Sequence, residues 1–167
     1  MEYLTEKNLI ELFRTTYEDL VCNKNFFDRK FRPDIRIDSI KLVVEFDGYL
    51  HYTDSKTIMR DTKKDIVIQE YGYKIVRVPY FVQLKHLENL LSNYISLDVI
   101  RNFKTYGYKS GFIDNKAKTP ADFCSLGLKR FYKDIEFYNC SKEIIESLKL
   151  KDTYEAFSLC MIEKFLL

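Results

Sequence analysis

Glu45 and Asp47 stand two residues apart in the run Val43-Val44-Glu45-Phe46-Asp47-Gly48. On an extended strand that spacing sends both carboxylates to one face. A third carboxylate, Asp34, sits on the preceding apolar stretch, and a tight turn at Asp38-Ser39 would fold the two stretches into a hairpin. Directly opposed Cβ atoms in such a pair are about 4.5–5.5 Å apart and diagonal ones about 7–8 Å, which brings Asp34 opposite Val43 to Glu45. Three like charges so close repel unless a cation neutralises them or one carries a proton. All-oxygen donors favour Mg²⁺, with Mn²⁺ as the substitute, over zinc. Such an ion lowers the pKa of bound water and stabilises charge at phosphorus, as phosphodiester hydrolysis requires. Taken alone, Glu45-x-Asp47 more often marks a solvated strand face followed by an Asp-Gly turn. The surrounding residues strengthen the chemical reading.

These carboxylates need elements to position them. Leu9, Ile10, Phe13, Tyr17, Leu20 and Val21 recur at helical spacing, predicting a helix over 5–22 with Thr5 as its N-cap. Phe31–Ile37 and Ile40–Asp47 read as two strands, and Gly48 ends the second. A helix over 56–71 turns Ile58, Ile66, Val67 and Tyr71 inward and stops at Gly72. Tyr73–Pro79 then reads as a strand and Val82–Tyr94 as a helix. A helix between the second and third strands is the usual crossover to a parallel pairing. The expected fold is an α/β layer architecture.

Beyond residue 100 the character changes. Residues 101–133 carry eight Lys/Arg against two Asp/Glu, interleaved with seven Phe/Tyr. Helical periodicity returns over Ser141–Leu167. The chain therefore divides into a core over 1–100 and a second element over 101–167. The net charge is only +2, with 27 Lys and Arg against 25 Asp and Glu, so any nucleic-acid surface must come from local clustering. The four cysteines have no short paired spacing and there are two histidines, which argues against structural zinc. No secretory leader is visible, and no apolar run approaches the ~20 residues of a membrane span. A cytoplasmic protein with free thiols is expected.

Pro33-Asp34, the Val43–Gly48 run and His51 together resemble the PD-(D/E)XK nuclease superfamily. The likeness is to its short-patch-repair-like (Vsr-like) endonucleases and the related DUF559 proteins. That branch is similar in having a helix with Arg and Asp, matched by Arg60, Asp61 and Asp65. It also has a Gly-aromatic strand ending in Arg, matched by Gly72-Tyr73 and Arg77. The resemblance covers residues 5–96. It implies a restriction-endonuclease-like mixed sheet core flanked by helices, with Asp34 and Glu45 as metal ligands and Asp47 in the third position. The superfamily's commonest pattern has Lys where this chain has Asp47. Lys63, Lys64 and His51 are the candidates to supply that role, and Asp47 is then a further ligand. The superfamily often adds an acid from its first helix, here Glu11 or Glu18.

His51 reads as a general base or phosphate contact, or as a hydrogen-bonded loop histidine. Arg77 either holds the scissile phosphate or pairs with core carboxylates. Lys63 and Lys64 are helix charges with solvent or DNA as partner, and His86 reads as a surface residue. Lys109, Lys116, Lys118, Lys129, Arg130 and Lys133 are the expected phosphate contacts of the basic segment. The competing expectation is a folded subdomain whose aromatics are core. The leading expectation is a Mg²⁺-dependent, restriction-type endonuclease acting on double-stranded DNA, as a homodimer through the Ser141–Leu167 helices. The alternatives are a strand-nicking repair endonuclease and an inactive nucleic-acid-binding protein.

Overall fold

The structure, a computed structural model, describes residues 3–103 and 118–149. It is a mixed α/β arrangement around one four-stranded sheet flanked by helices. Helix α1 spans Glu6–Arg14, capped by the Thr5 side chain, and buries Leu9, Leu12 and Phe13. It stops well short of the predicted residue 22. Thr15 and Thr16 follow, β-branched residues that propagate a helix poorly. Leu20–Val21 instead forms the edge strand β1.

Strand β2 (Ile35–Ile37) pairs antiparallel with β1 and with β3 (Leu42–Asp47). The hairpin between β2 and β3 turns over Asp38–Lys41, wider than the two-residue turn predicted. Lys41 closes it at φ 50°. Ser39 is tied down by Asp19, whose carboxylate accepts from its backbone N–H at 2.8 Å and its hydroxyl at 3.1 Å. The turn takes Ile40 and Lys41 from the predicted β3, whereas β2 ends at Ile37 as predicted and begins only at Ile35, after the Pro33-Asp34 pair.

After the short helix α2 (Leu50–Thr53), helix α3 (Ser55–Glu70) crosses over and delivers β4 (Lys74–Pro79) parallel to β3. Gly72, at φ 79°, ends α3 with its N–H on Gln69 O at 2.8 Å, as predicted. Helix α4 (Leu84–Leu91) is followed by α5 (Leu97–Asn102). A 3₁₀ turn at Pro120–Asp122, helix α6 (Ser125–Phe137) and helix α7 (Ser141–Lys149) complete the described chain.

Leu42 and Val44 of β3 enter the main core, whereas Val43 joins a smaller cluster with Phe26, Ile68 and Tyr73. By strand alternation Glu45 and Asp47 share the Val43 face, the one α3 covers. Phe123, Phe131, Ile135 and Tyr138 pack into the same core as Val76 and Leu87, so these aromatics of the C-terminal part are core residues. Among the described residues no helix is long and apolar enough to cross a membrane.

Helix α6 meets α2 at backbone contact. A Cβ placed on Gly127 would lie 1.7 Å from Tyr52 O, a backbone atom that cannot swing away. Gly127→Ala is therefore expected to destabilise the protein by about 2–3 kcal/mol in urea titrations. Gly48→Ala, with nothing within 4 Å of the added methyl, is the comparison and leaves stability nearly unchanged.

Candidate active site

The antiparallel register pairs Ile35 with Val44, so Asp34 comes one step along, beside Glu45. Asp34 Oδ2 accepts the Phe46 N–H at 2.7 Å, a hydrogen bond that fixes the carboxylate at the strand's end. Glu45 is only 4% exposed. Helix α3 presents Lys64 to it. The ammonium stands 2.7 Å from both carboxylate oxygens but hydrogen-bonds with good geometry only to Oε2. Glu45 Oε1 is left buried without a hydrogen-bond partner.

Asp34, Glu45, His51, Asp61, Lys63 and Lys64 line one cleft of about 650 Å³. Glu6, from the first turn of α1, also lines it. The acid that α1 brings to this cleft is Glu6, not Glu11 or Glu18. Glu11 lines a separate depression with Arg14, and Glu18 lies exposed beyond the helix. Arg60, Lys30 and Arg32 add cations to the cleft wall.

Asp47 departs from the expected cradle. It is fully buried and turned into a charged network behind the cleft. Arg77 Nη1 reaches its Oδ1 at 2.7 Å, and Arg130 bonds its Oδ2 from α6. Arg77 also forks onto Asp65, at 2.7 Å from Nη2 and 3.0 Å from Nε. Arg130 reaches Asp61 at 3.0 Å, and its guanidinium lies 5.2 Å from the Tyr52 ring centroid. Tyr52 donates its hydroxyl to Asp134 at 2.6 Å. Arg77 thus follows the carboxylate-pairing alternative and not the phosphate one, and Arg130, expected as a phosphate contact, is likewise an inward counter-ion; the physical reason is Asp47, a buried carboxylate that demands them.

His51 joins the two regions. Its Nδ1 lies 2.5 Å from Asp61 Oδ2 and 3.2 Å from Asp47 Oδ1, while the ring edges the cleft. The ligand atoms of Asp47, His51 and Asp61 all fall within 4.8 Å of one another, a group that could hold a metal ion. Both Asp47 oxygens already carry guanidiniums, so an ion there competes with them.

Burial pushes the Glu45 carboxyl up to about 7, and the neighbouring Asp34 charge adds to the rise against the pull of Lys64. Burial also raises Asp34, opposed by the Phe46 N–H. At Asp61 burial acts in the same sense, but the His51 hydrogen bond and the Arg77 charge outweigh it, bringing the group down to about 2. Burial raises Asp134 to about 6.

A carboxyl whose folded pKa lies above its unfolded value favours folding most below the unfolded pKa, and that contribution fades as pH rises through the folded one. For Glu45 the window runs from about 4.5 to about 7. Chelator-treated wild type should lose on the order of 3 kcal/mol relative to Glu45→Gln across it. Thermal melts of both proteins at several pH values read the divergence. Parallel pH profiles for the two would remove the cause assigned here.

Among the other predicted contacts, Lys129 is exposed and Lys118 pairs with Asp122 at 3.7 Å. Lys109 and Lys116 lie outside the described residues. His86 is not a surface residue: its ring is mostly buried, between the Gln83 N–H at 3.0 Å and Glu143 at 2.9 Å. The chain matches no protein-family model, no curated protein and no solved structure.

Proposed function

We propose that this protein is a Mg²⁺-dependent DNA endonuclease with a restriction-endonuclease-like core. One observation carries the reading. The cation missing from the strand at Asp47 arrives from α3, where Lys64 stands on Glu45 beside Asp34 in a single cleft. Of the two lysine candidates, Lys64 suits the role, because it stands on Glu45, whereas Lys63 lines the same cleft as an exposed residue with no ion pair among the described residues.

Two carboxylates suit a hard divalent cation here. Glu45 Oε1 is buried without a hydrogen bond, facing only the Lys64 ion pair, Asp34 lies alongside, and Glu6 lines the same cleft. Asp34 and Glu45 would hold the ion; when bound, it activates water and offsets charge on the phosphate oxygens. Lys64 steadies the anionic transition state from the helix side. His51, oriented by Asp61 at Nδ1, offers its other ring nitrogen as proton acceptor or donor at the cleft.

Incubating the purified protein with supercoiled plasmid and Mg²⁺ tests the proposal. Nicked or linear product is expected, abolished by chelation and restored by Mn²⁺. Intact plasmid with either ion, across a range of protein concentrations, would reject it.

A further inference from the structure

Between β1 and β2 the chain makes an excursion over residues 22–34. Positions 24–32 hold four cations, Lys24, Arg29, Lys30 and Arg32, against the single carboxylate Asp28. In a protein of net charge +2 that is a marked local excess.

The excursion is built, not merely long. Its stem closes through Asn23 N–H on Pro33 O and Phe26 N–H on Phe31 O, both at 3.0 Å. Phe27 sits at φ 51°, a conformation a bulky side chain rarely adopts unless its surroundings impose it. Those surroundings are evident. Its ring stacks on Tyr71 at 5.4 Å and 12°, with the Arg36 guanidinium 4.7 Å from the centroid. The neighbouring Phe26 is fully buried among Val43, Ile68 and Tyr73. The buried Phe26 and the half-exposed Phe27 thus brace the loop backbone that carries the cations.

All four cations are exposed. Lys24 and Lys30 have no ion pair among the described residues, and Asn25 orients Arg32 through a 3.1 Å bond to Nε. Lys30 and Arg32 from the loop line the same cleft as Arg60 and Lys63 of α3. Cations from two separate elements thus share one cleft with the carboxylates Asp34 and Glu45. A compact anion needs no such spread of cations. A chain of successive phosphates uses it, with phosphates on the loop and helix cations and one at the carboxylates.

We propose that the 22–34 loop is the surface that grips the sugar-phosphate backbone and leads it across the cleft. The inference rests on the nuclease reading for what lies at the carboxylates Asp34 and Glu45. It assigns backbone contacts to Lys24, Lys30 and Arg32, outside the C-terminal basic segment.

Fluorescence anisotropy in EDTA, with labelled duplex and single-stranded DNA and RNA, tests it without cleavage. Changing Lys24, Lys30 and Arg32 together to Ala should weaken binding tenfold or more. It should also lower the slope of log affinity against log salt by about 2–3. Lys24→Glu alone, at an exposed position, should weaken it in the same sense. Wild-type affinity and slope in both variants, or no binding by wild type to any of the four probes, would overturn the assignment. Cleavage separates it from the reading beneath it. Loop-dependent binding without any metal-dependent product leaves the loop standing and removes the nuclease. Metal-dependent cutting that is unchanged in the triple variant removes the loop alone.

Discussion

Asp34→Asn and Glu45→Gln should each lower Mg²⁺-dependent plasmid cleavage by about a thousandfold, while neither lowers the melting temperature of the chelator-treated protein at pH 8. The first half follows from the role proposed for the two groups. Removing one oxygen donor, or one charge that acts on the transition state, forfeits a contribution on the order of 10²–10³ in rate, and loss of the ion itself forfeits more. The second half follows from geometry. Glu45 is buried beside a second carboxylate, and burial raises both groups. Neutral amides relieve that repulsion, so residues retained for chemistry need not be residues retained for stability. Lys64→Met should behave differently. It loses about a hundredfold in rate and also destabilises the chelator-treated protein, because Glu45 is left without its counter-charge. Gel assays with a chelator control and melts of all three variants read both halves. Cleavage within a few-fold of wild type in the Asp34 and Glu45 variants would remove the two carboxylates from the chemistry.

The part of this arrangement that the sequence carries is the part with a short period. Alternation along Val43–Asp47 and the nearness of Asp34 follow from strand geometry, and the structure has Asp34 one step beyond the Ile35–Val44 pair. The parallel crossover between β3 and β4 was legible from the intervening helix in the same way. Helix α3 was legible in its extent but not in its orientation. Apolar periodicity turns Ile58, Ile66 and Val67 inward, yet Ile66 is 52% exposed and the buried positions are Thr57, Asp61 and Ile68. With Lys64 these form the stripe that faces the carboxylates. A helix packed on a charged site hides polar residues, and hydrophobic periodicity then points to the wrong face. Glu6 was missed for a related reason. It lies in the first turn of α1, ahead of the apolar repeat that drew attention to Glu11 and Glu18. The Arg130–Asp47 pair spans 83 residues and leaves no local signature at either end.

That long-range pair carries the second large effect. Arg130→Met should destabilise the protein by about 3–5 kcal/mol, the range seen when one partner of a buried ion pair is deleted. Asp47 has no access to solvent, and its two oxygens are divided between Arg77 and Arg130. With Arg130 gone, Oδ2 keeps its charge and its burial but loses its donor. Asp61 loses a hydrogen bond at 3.0 Å in the same step, which weakens the hold on His51. Adding Asp47→Asn to Arg130→Met should recover a substantial part of the loss, since the uncompensated charge is then removed along with its partner. Urea titrations of wild type, both single variants and the double variant close the cycle, and a coupling of 2 kcal/mol or more is expected. Additive losses, with no recovery in the double variant, would mean that Arg130 stabilises through its packing on Tyr52 and not through Asp47. A large coupling has a consequence for the cleft. The guanidinium from α6 then anchors the Asp47 network that holds His51, so the helix following the basic segment is part of what positions the proposed chemistry.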